Sequence, residues 1–225
     1  MAGSLVAIAK RKGGVGASTI AAALGGAWDA QGKRVVLLDS DPQQSLMAWG
    51  DIADDDDGTL ARITRTAVFE SDEPLTAAIE KARAEADLVI IDTRPGLHVQ
   101  AIEVAAVADV AVLPCGPSPL DLQPQRDMLR VLYRARRSQP CGEAFRPAIA
   151  MVPTRFTNRT RLGRELPESL AAVAEAMDLE ATVTPGLSYR VGYGECVLMG
   201  QTPEEYGETI RDEARALAQA VEDLL

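Results

Sequence analysis

Lys10-Arg11-Lys12-Gly13-Gly14-Val15-Gly16-Ala17-Ser18-Thr19 follows directly on an apolar run, Leu5-Val6-Ala7-Ile8-Ala9, and leads into an Ala-rich segment at 20–31. The run reads as a buried strand and the Ala-rich segment as a helix. A glycine-rich turn between a strand and a helix gathers backbone N–H groups and the positive end of the helix dipole around one point. That makes an anion site, and a phosphate fits it. Glycine suits the turn because a side chain blocks close approach and some positions need positive φ.

Outward from that turn, strand and helix patterns alternate. Apolar strands are predicted at 34–38, 60–68, 88–91, 110–113, 148–152 and 181–183. Helices are predicted at 43–52, 73–86, 99–108, 120–138, 162–177 and 203–225, with Pro74 in a first turn, while 189–199 carries no decisive pattern. Continuous apolar strands alternating with helices imply an α/β fold, a mostly parallel twisted sheet with helices on both faces. One domain over 1–225 is expected, since neither an internal repeat nor a linker interrupts the pattern. Ligands of such sheets sit at the carboxyl ends of the strands. The glycine turn, Asp39, Asp92 and Pro114 all fall at such ends and therefore converge on one site.

The bulk properties narrow the function classes. A chain of 225 residues buries a sizeable core. It has neither a run of about 18 apolar residues nor a basic-then-apolar leader, so a cytoplasmic protein is expected. Cys115, Cys141 and Cys196 are widely spaced without a C-x-x-C pair, which suggests buried free thiols rather than zinc or redox chemistry. His98 is the sole histidine, which argues against histidine-based catalysis and histidine metal clusters. The acidic run at 54–57 lacks the spacing of a calcium loop and reads as exposed.

A net charge of −10 opposes general nucleic-acid affinity, yet residues 126–164 hold ten arginines against two acids. Arg126, Arg130, Arg134 and Arg137 share one stripe of the helix at 120–138. The stripe is either a solvated helix face or, on a dimer, a face for non-specific DNA.

The usual phosphate loop is G-x-x-x-x-G-K-[ST]. Aligned on Gly16 and Ser18, this chain has Arg11 in place of the first glycine and Ala17 in place of the lysine. The form K-G-G-x-G-K-[ST]-T resembles the deviant Walker A loop of the ParA/MinD ATPases, in which a signature lysine, here Lys12, precedes the glycine pair. Val89-Ile90-Ile91-Asp92 looks like a Walker B strand, and Asp39-Ser40-Asp41-Pro42-Gln43 resembles the family's D-x-D-P-Q. With Pro117-Ser118-Pro119-Leu120-Asp121 added, nearly the whole chain is similar to the small plasmid-partition ParA proteins of the ParF type.

That resemblance implies a P-loop NTPase fold with ATP and Mg²⁺ as cofactors. It places Gly13, Gly14, Val15, Gly16, Ala17, Ser18 and Thr19 around the phosphates. Ser18, Asp39 and Asp92 fall at or near the metal, and Asp41 on the attacking water. Asp41 before Pro42 also reads simply as a helix N-cap, and the two roles are compatible. Thr154, Arg155 and the segment 185–190 are implied at the adenine end. Lys12 would reach the phosphates of a second subunit in an ATP-bound homodimer. That dimer would bind non-specific DNA on the nucleoid. A ParB-like or other centromere or cargo adaptor would stimulate hydrolysis, and plasmid, chromosome or other cargo would be segregated.

Alternatives within the resemblance are a MinD-like or carboxysome-type positioning ATPase and a natural pseudo-ATPase interaction module. The tail at 203–225 is acidic, which opposes a membrane role. An iron–sulfur reductase lacks its second cysteine. Ala17, introduced or natural, removes an ammonium worth about 2–5 kcal/mol in a partly desolvated site, so weak ATP binding and slow hydrolysis are expected.

Overall fold

The computed structural model describes residues 2–55, 58–68, 74–137 and 148–225, the side chains of 54, 55 and 135–137 excepted. Strand β1 (Ser4–Ile8) runs into the glycine turn, and helix α1 (Ala17–Ala30) leaves it. The chain continues through β2 (Val35–Asp39), α2 (Ser45–Asp55), α3 (Thr59–Arg62), β3 (Thr64–Ala67), α4 (Leu75–Glu85), β4 (Leu88–Asp92) and α5 (Val99–Val107). The second half comprises β5 (Val110–Cys115), α6 (Pro119–Arg137), β6 (Ala148–Phe156), α7 (Arg161–Glu175), β7 (Thr182–Val183), β8 (Leu187–Ser188), α8 (Gly192–Leu198) and α9 (Glu208–Glu222).

Among the described residues the sheet runs β3-β2-β4-β1-β5-β6-β7, with β8 added to the far end of β6, and every pairing is parallel. The fold is therefore an α/β sandwich of the P-loop NTPase type. Strands buried on both faces have no polar side to show, which is why they read as unbroken apolar runs. Alternate residues of β1 split between two cores. Val6 and Ile8 face the layer containing α1 and α9, and Leu5 and Ala7 face the layer built on α4, α5, α6 and α7. Helix α1 is buried from Ile20 to Trp28, which explains its small residues. It packs directly on β2, β4 and α9.

Register aligns the functional ends. Ile8 lies opposite Asp92, and Asp39 lies opposite Asp92 from the other side. Two carboxylates on adjacent strands thus end at one level, just below the turn that begins at Lys10.

Two predicted elements need correction. The segment 60–68 is not one strand: it opens as the short helix α3, and only Thr64–Ala67 pairs with β2. Leu60 is fully buried, and a single buried side chain at that spacing is compatible with either period. The last helix starts at Glu208 and not at 203, because Gly207 adopts φ +58°. Before it, Glu205 accepts from the Thr202 N–H and Glu204 pairs with Arg215, so those acids fold a turn. The apolar face of α9 (Ile210, Ala214, Leu217 and Val221) is buried in the core. Among the described residues no helix is long and apolar enough to cross a membrane.

Cys115 and Cys196 are free and buried, as expected, while Cys141 lies outside the described residues. Burial pushes the Cys115 thiol up to about 12. A thiol that stays protonated is a poor nucleophile and metal ligand.

Candidate functional site

The glycine turn is shaped by backbone conformation. Gly14 has φ +74° and Gly16 φ +85°, both in the left-handed region that side chains avoid. The Gly16 carbonyl accepts the first helical bond, from the Ile20 N–H at 2.9 Å, so the free N–H groups of α1 open onto the turn. A Cβ added at Gly13 would meet nothing within 4 Å, so the loop stands clear on that side. Arg155, at φ +52°, donates to the Gly14 carbonyl at 2.6 Å and ties the turn to the end of β6.

Below the turn sits a buried charge cluster. The Ser18 hydroxyl donates to one oxygen of Asp92 at 2.7 Å, and the Lys10 ammonium donates to the other at 2.6 Å. Lys10 also pairs with Asp41 at 2.9 Å. Lys10 is only 5% exposed and Asp92 is fully buried. Burial opposes the charge on Lys10, but Asp92 and Asp41 outweigh it and hold the ammonium above its ordinary value. Burial likewise pushes the Asp92 carboxyl up, opposed by Lys10 and by the Ser18 hydroxyl. A 2.6 Å contact to an ammonium serves the ionised carboxylate, so the ion pair is the state this geometry holds.

Asp39 and Asp41 divide their work differently. Both oxygens of Asp39 accept backbone N–H groups, from Asp41 and Leu46, each at 3.0 Å. Asp39 therefore braces the β2–α2 turn. Asp41 accepts from the Gln43 N–H at 3.0 Å through one oxygen and holds Lys10 through the other. The N-cap expected at Asp41 is not found: α2 starts at Ser45, and Asp41 instead closes a local turn two residues ahead of Gln43 while its second oxygen faces the cluster.

A cleft of about 510 Å³ opens over the cluster, within the ordinary range for a small-molecule site. Lys10, the glycine turn, Ala17, Ser18 and Thr19 form one end of it, and Thr154, Arg155, Tyr189 and Tyr193 lie along the rest. The Thr154 hydroxyl is buried there without a hydrogen-bond partner. Among the sequence-predicted residues, Val15, Lys12 and Pro114 line a separate crevice against α6, so Pro114 does not converge on the cleft, and Asp39 and Asp92 are buried beneath it rather than in its lining. The Lys12 ammonium donates to Asp121 and to the Leu120 carbonyl, each at 2.9 Å.

These observations test the fit of a nucleotide and its metal. The empty space at Gly13, the free N–H groups, the orphaned Thr154 hydroxyl and the cleft volume suit a phosphate-bearing ligand. Hydroxyl and carboxylate oxygens suit a hard divalent cation. The residues present fit the phosphate, and their oxygens suit the cation in kind, with both Asp92 oxygens held by Lys10 and Ser18 and both Asp39 oxygens by backbone N–H groups.

A model of the CobQ/CobB/MinD/ParA nucleotide binding domain matches residues 6–201. This chain belongs to that family. Among its relatives, the maintenance of carboxysome distribution protein A of Gloeobacter kilaueensis is 32% identical over 173 residues, covering 76% of this chain and 68% of that protein. The protein of the same name from Halothiobacillus neapolitanus is 25% identical over 223 residues, covering 98% and 95%. Among solved structures, the cell division ATPase MinD of Pyrococcus furiosus superposes with a TM-score of 0.74 at 19% identity, covering 99% of this chain and 100% of that one. An ATP complex of Cyanothece McdA gives 0.70 at 19% identity, covering 99% and 96%. At such identities the structures share the fold.

Within this nucleotide-binding family member, two features escaped sequence reading. Lys10 sits directly beyond an apolar strand, at the same sheet edge as Asp39 and Asp92. Its position in the chain could have flagged it, but its direction could not. Glu213 is the other. Held on α9, it accepts from the Ser188 N–H and hydroxyl at 3.0 and 2.6 Å, from Arg190 at 3.1 Å and from Tyr193 at 2.7 Å. One carboxylate thus fixes a wall of the cleft from 25 residues away in sequence. Burial raises the Glu213 carboxyl, but the donors from Ser188, Tyr193 and Arg190 outweigh it and hold it below its ordinary value.

Glu213→Gln is expected to cost about 2 kcal/mol of stability near neutrality, the worth of charge-assisted bonds at a mostly buried acceptor. A depressed carboxyl stabilises the fold above its unfolded value, about 4.5, and loses that contribution as pH falls through its lower folded value. Urea denaturation at about pH 7 and about pH 3 should therefore show the gap between parent and variant closing in acid.

The arginine-rich region divides in space. Arg126, Arg130 and Arg134 are exposed on α6, with Arg130 lying 3.7 Å from Asp127. Arg130 and Arg134 also border a shallow groove with Met177 and Leu179. Arg155 belongs to the cleft instead, and Arg161 pairs with Glu165. The side chain of Arg137 lies outside the described residues.

Proposed function

We propose that this chain is a ParA-type positioning ATPase, similar in kind to the small ParF-type partition proteins, that dimerises on ATP and moves a cargo across the nucleoid. The observation that carries this reading is the convergence of the glycine turn, Ser18 and Asp41 on one cleft, with Asp92 buried behind Ser18 and an unpartnered Thr154 hydroxyl in the lining. Gly13 to Thr19 bind phosphate through backbone N–H groups, and Thr154, Arg155 and Tyr189 receive the base and ribose. Ser18 and Asp92, with Asp39 behind them, would hold magnesium, which supplies charge neutralisation at the transferred phosphoryl group. Asp41 orients water. Ala17 leaves the loop without its usual ammonium, so nucleotide binding is weak and turnover slow. Lys12, held within its own chain by Asp121 and the Leu120 carbonyl, would leave them to reach the phosphates of a second subunit. The names of the relatives, carboxysome distribution and cell division, support positioning as the task and leave a ParB-like or other adaptor as partner.

The exposed arginines of α6 are the DNA face of that dimer, binding phosphates in a salt-dependent way. The test is light scattering behind size exclusion with ATP, ADP or no nucleotide, followed by retention on non-specific duplex DNA. An ATP-dependent dimer that DNA retains supports the reading, and a monomer under all three conditions sinks it. Arg130→Glu with Arg134→Glu should lower DNA retention at least about tenfold at moderate salt while dimerisation persists, since each reversal removes a phosphate contact and adds a repulsion.

A further inference from the structure

We propose that Lys10 is the relocated phosphate-site lysine of this chain, supplying from the end of β1 the ammonium that position 17 lacks. The inference rests on the nucleotide reading above and deepens it. Ala17 is 4% exposed and carries no charge, yet the site is not short of a cation. Lys10 lines the same cleft as Gly13, Gly16, Ala17 and Ser18. Its ammonium and the Ser18 hydroxyl share one carboxylate, Asp92, at 2.6 and 2.7 Å. That places it beside the first turn of α1, next to the residue that would otherwise carry the charge.

The other cations that line the cleft each hold one partner through part of a guanidinium. Arg155 ties down the Gly14 carbonyl and Arg190 pairs with Glu213. Lys12 is turned to Asp121 outside the cleft. An ammonium has three donors, and Asp92 and Asp41 account for two.

Burying an ion pair seldom adds net stability over an apolar pair of similar volume, so a buried lysine between two acids calls for another role. Three carboxylates, Asp39, Asp41 and Asp92, end at this sheet edge, and without Lys10 their field would repel a triphosphate. Lys10 cancels part of that field and keeps one donor for the ligand. The backbone holds it in place, since its carbonyl accepts from the Gly96 N–H at 2.9 Å.

The experiment is a fluorescent-ATP titration of four proteins: the parent, Lys10→Gln, Ala17→Lys and the double variant, each checked for folding by circular dichroism. Lys10→Gln should weaken binding by at least about thirtyfold, the lower end expected for losing a charged contact in a partly desolvated site. Ala17→Lys alone should change affinity by less than about threefold, because the charge is already present. Ala17→Lys in the Lys10→Gln background should restore affinity to within about tenfold of the parent. A gain of more than about tenfold from Ala17→Lys alone would overturn the proposal while leaving the nucleotide reading intact. That arm leaves Lys10 untouched, so it decides even where Lys10→Gln fails to fold. Absence of binding in both parent and Ala17→Lys overturns the nucleotide reading and this inference together.

Discussion

Asp92→Ala lowers the unfolding free energy by about 3–5 kcal/mol, the cost of removing one partner from a buried ion pair. Asp92 is fully buried and carries Lys10 at 2.6 Å and Ser18 at 2.7 Å. Its loss leaves a desolvated ammonium facing only Asp41, whose side chain is 10% exposed. The check is a urea denaturation midpoint at constant slope. A second variant separates charge from packing: adding Lys10→Met to Asp92→Ala should cost less than the two single changes summed, because the stranded cation is gone. Strict additivity, or a single-variant loss under about 1 kcal/mol, would mean that the cluster is not a desolvated ion network.

Lys12→Ala shows the opposite pattern, a large effect on assembly with almost none on the monomer. Its pair with Asp121 is 45% and 23% exposed, and surface pairs of this kind contribute about 0–1 kcal/mol. Melting should therefore be nearly unchanged. On the proposed function, closing a second subunit over the cleft turns the same ammonium into a desolvated partner for phosphate. Losing it costs about 2–5 kcal/mol, or roughly 30- to 5,000-fold in the nucleotide-dependent dimer constant. Sedimentation equilibrium with and without ATP reads this directly. A Lys12→Ala protein that dimerises like the parent would remove the subunit-bridging role and leave the cleft itself untouched.

Much of this molecule was legible from periodicity. Unbroken apolar strands such as Leu88–Asp92 announce burial on both faces, and Gly14 and Gly16 announce positive φ. Segments whose fate rests on distant partners were less legible. Thr59–Arg62 is helical, and the turn before Glu208 is folded by Glu204 and Glu205. Residues 189–199 gave no pattern, and they form the short helix α8 with Arg190 and Tyr193 held by Glu213, an acid on another helix.

The chain's own order of residues determined the parallel sheet, the anion turn and the gathering of Asp39 and Asp92 at one edge. Those follow from local pattern and from the short right-handed connections a parallel sheet demands. The direction of each charged side chain was left open. Lys10 and Lys12 are two residues apart and chemically identical, yet one is sealed between Asp41 and Asp92 and the other is turned to Asp121 on α6. Only packing across distant strands and helices could separate them, because an ammonium goes where carboxylates and desolvation together place it, and those neighbours lie between 31 and 109 positions away along the chain.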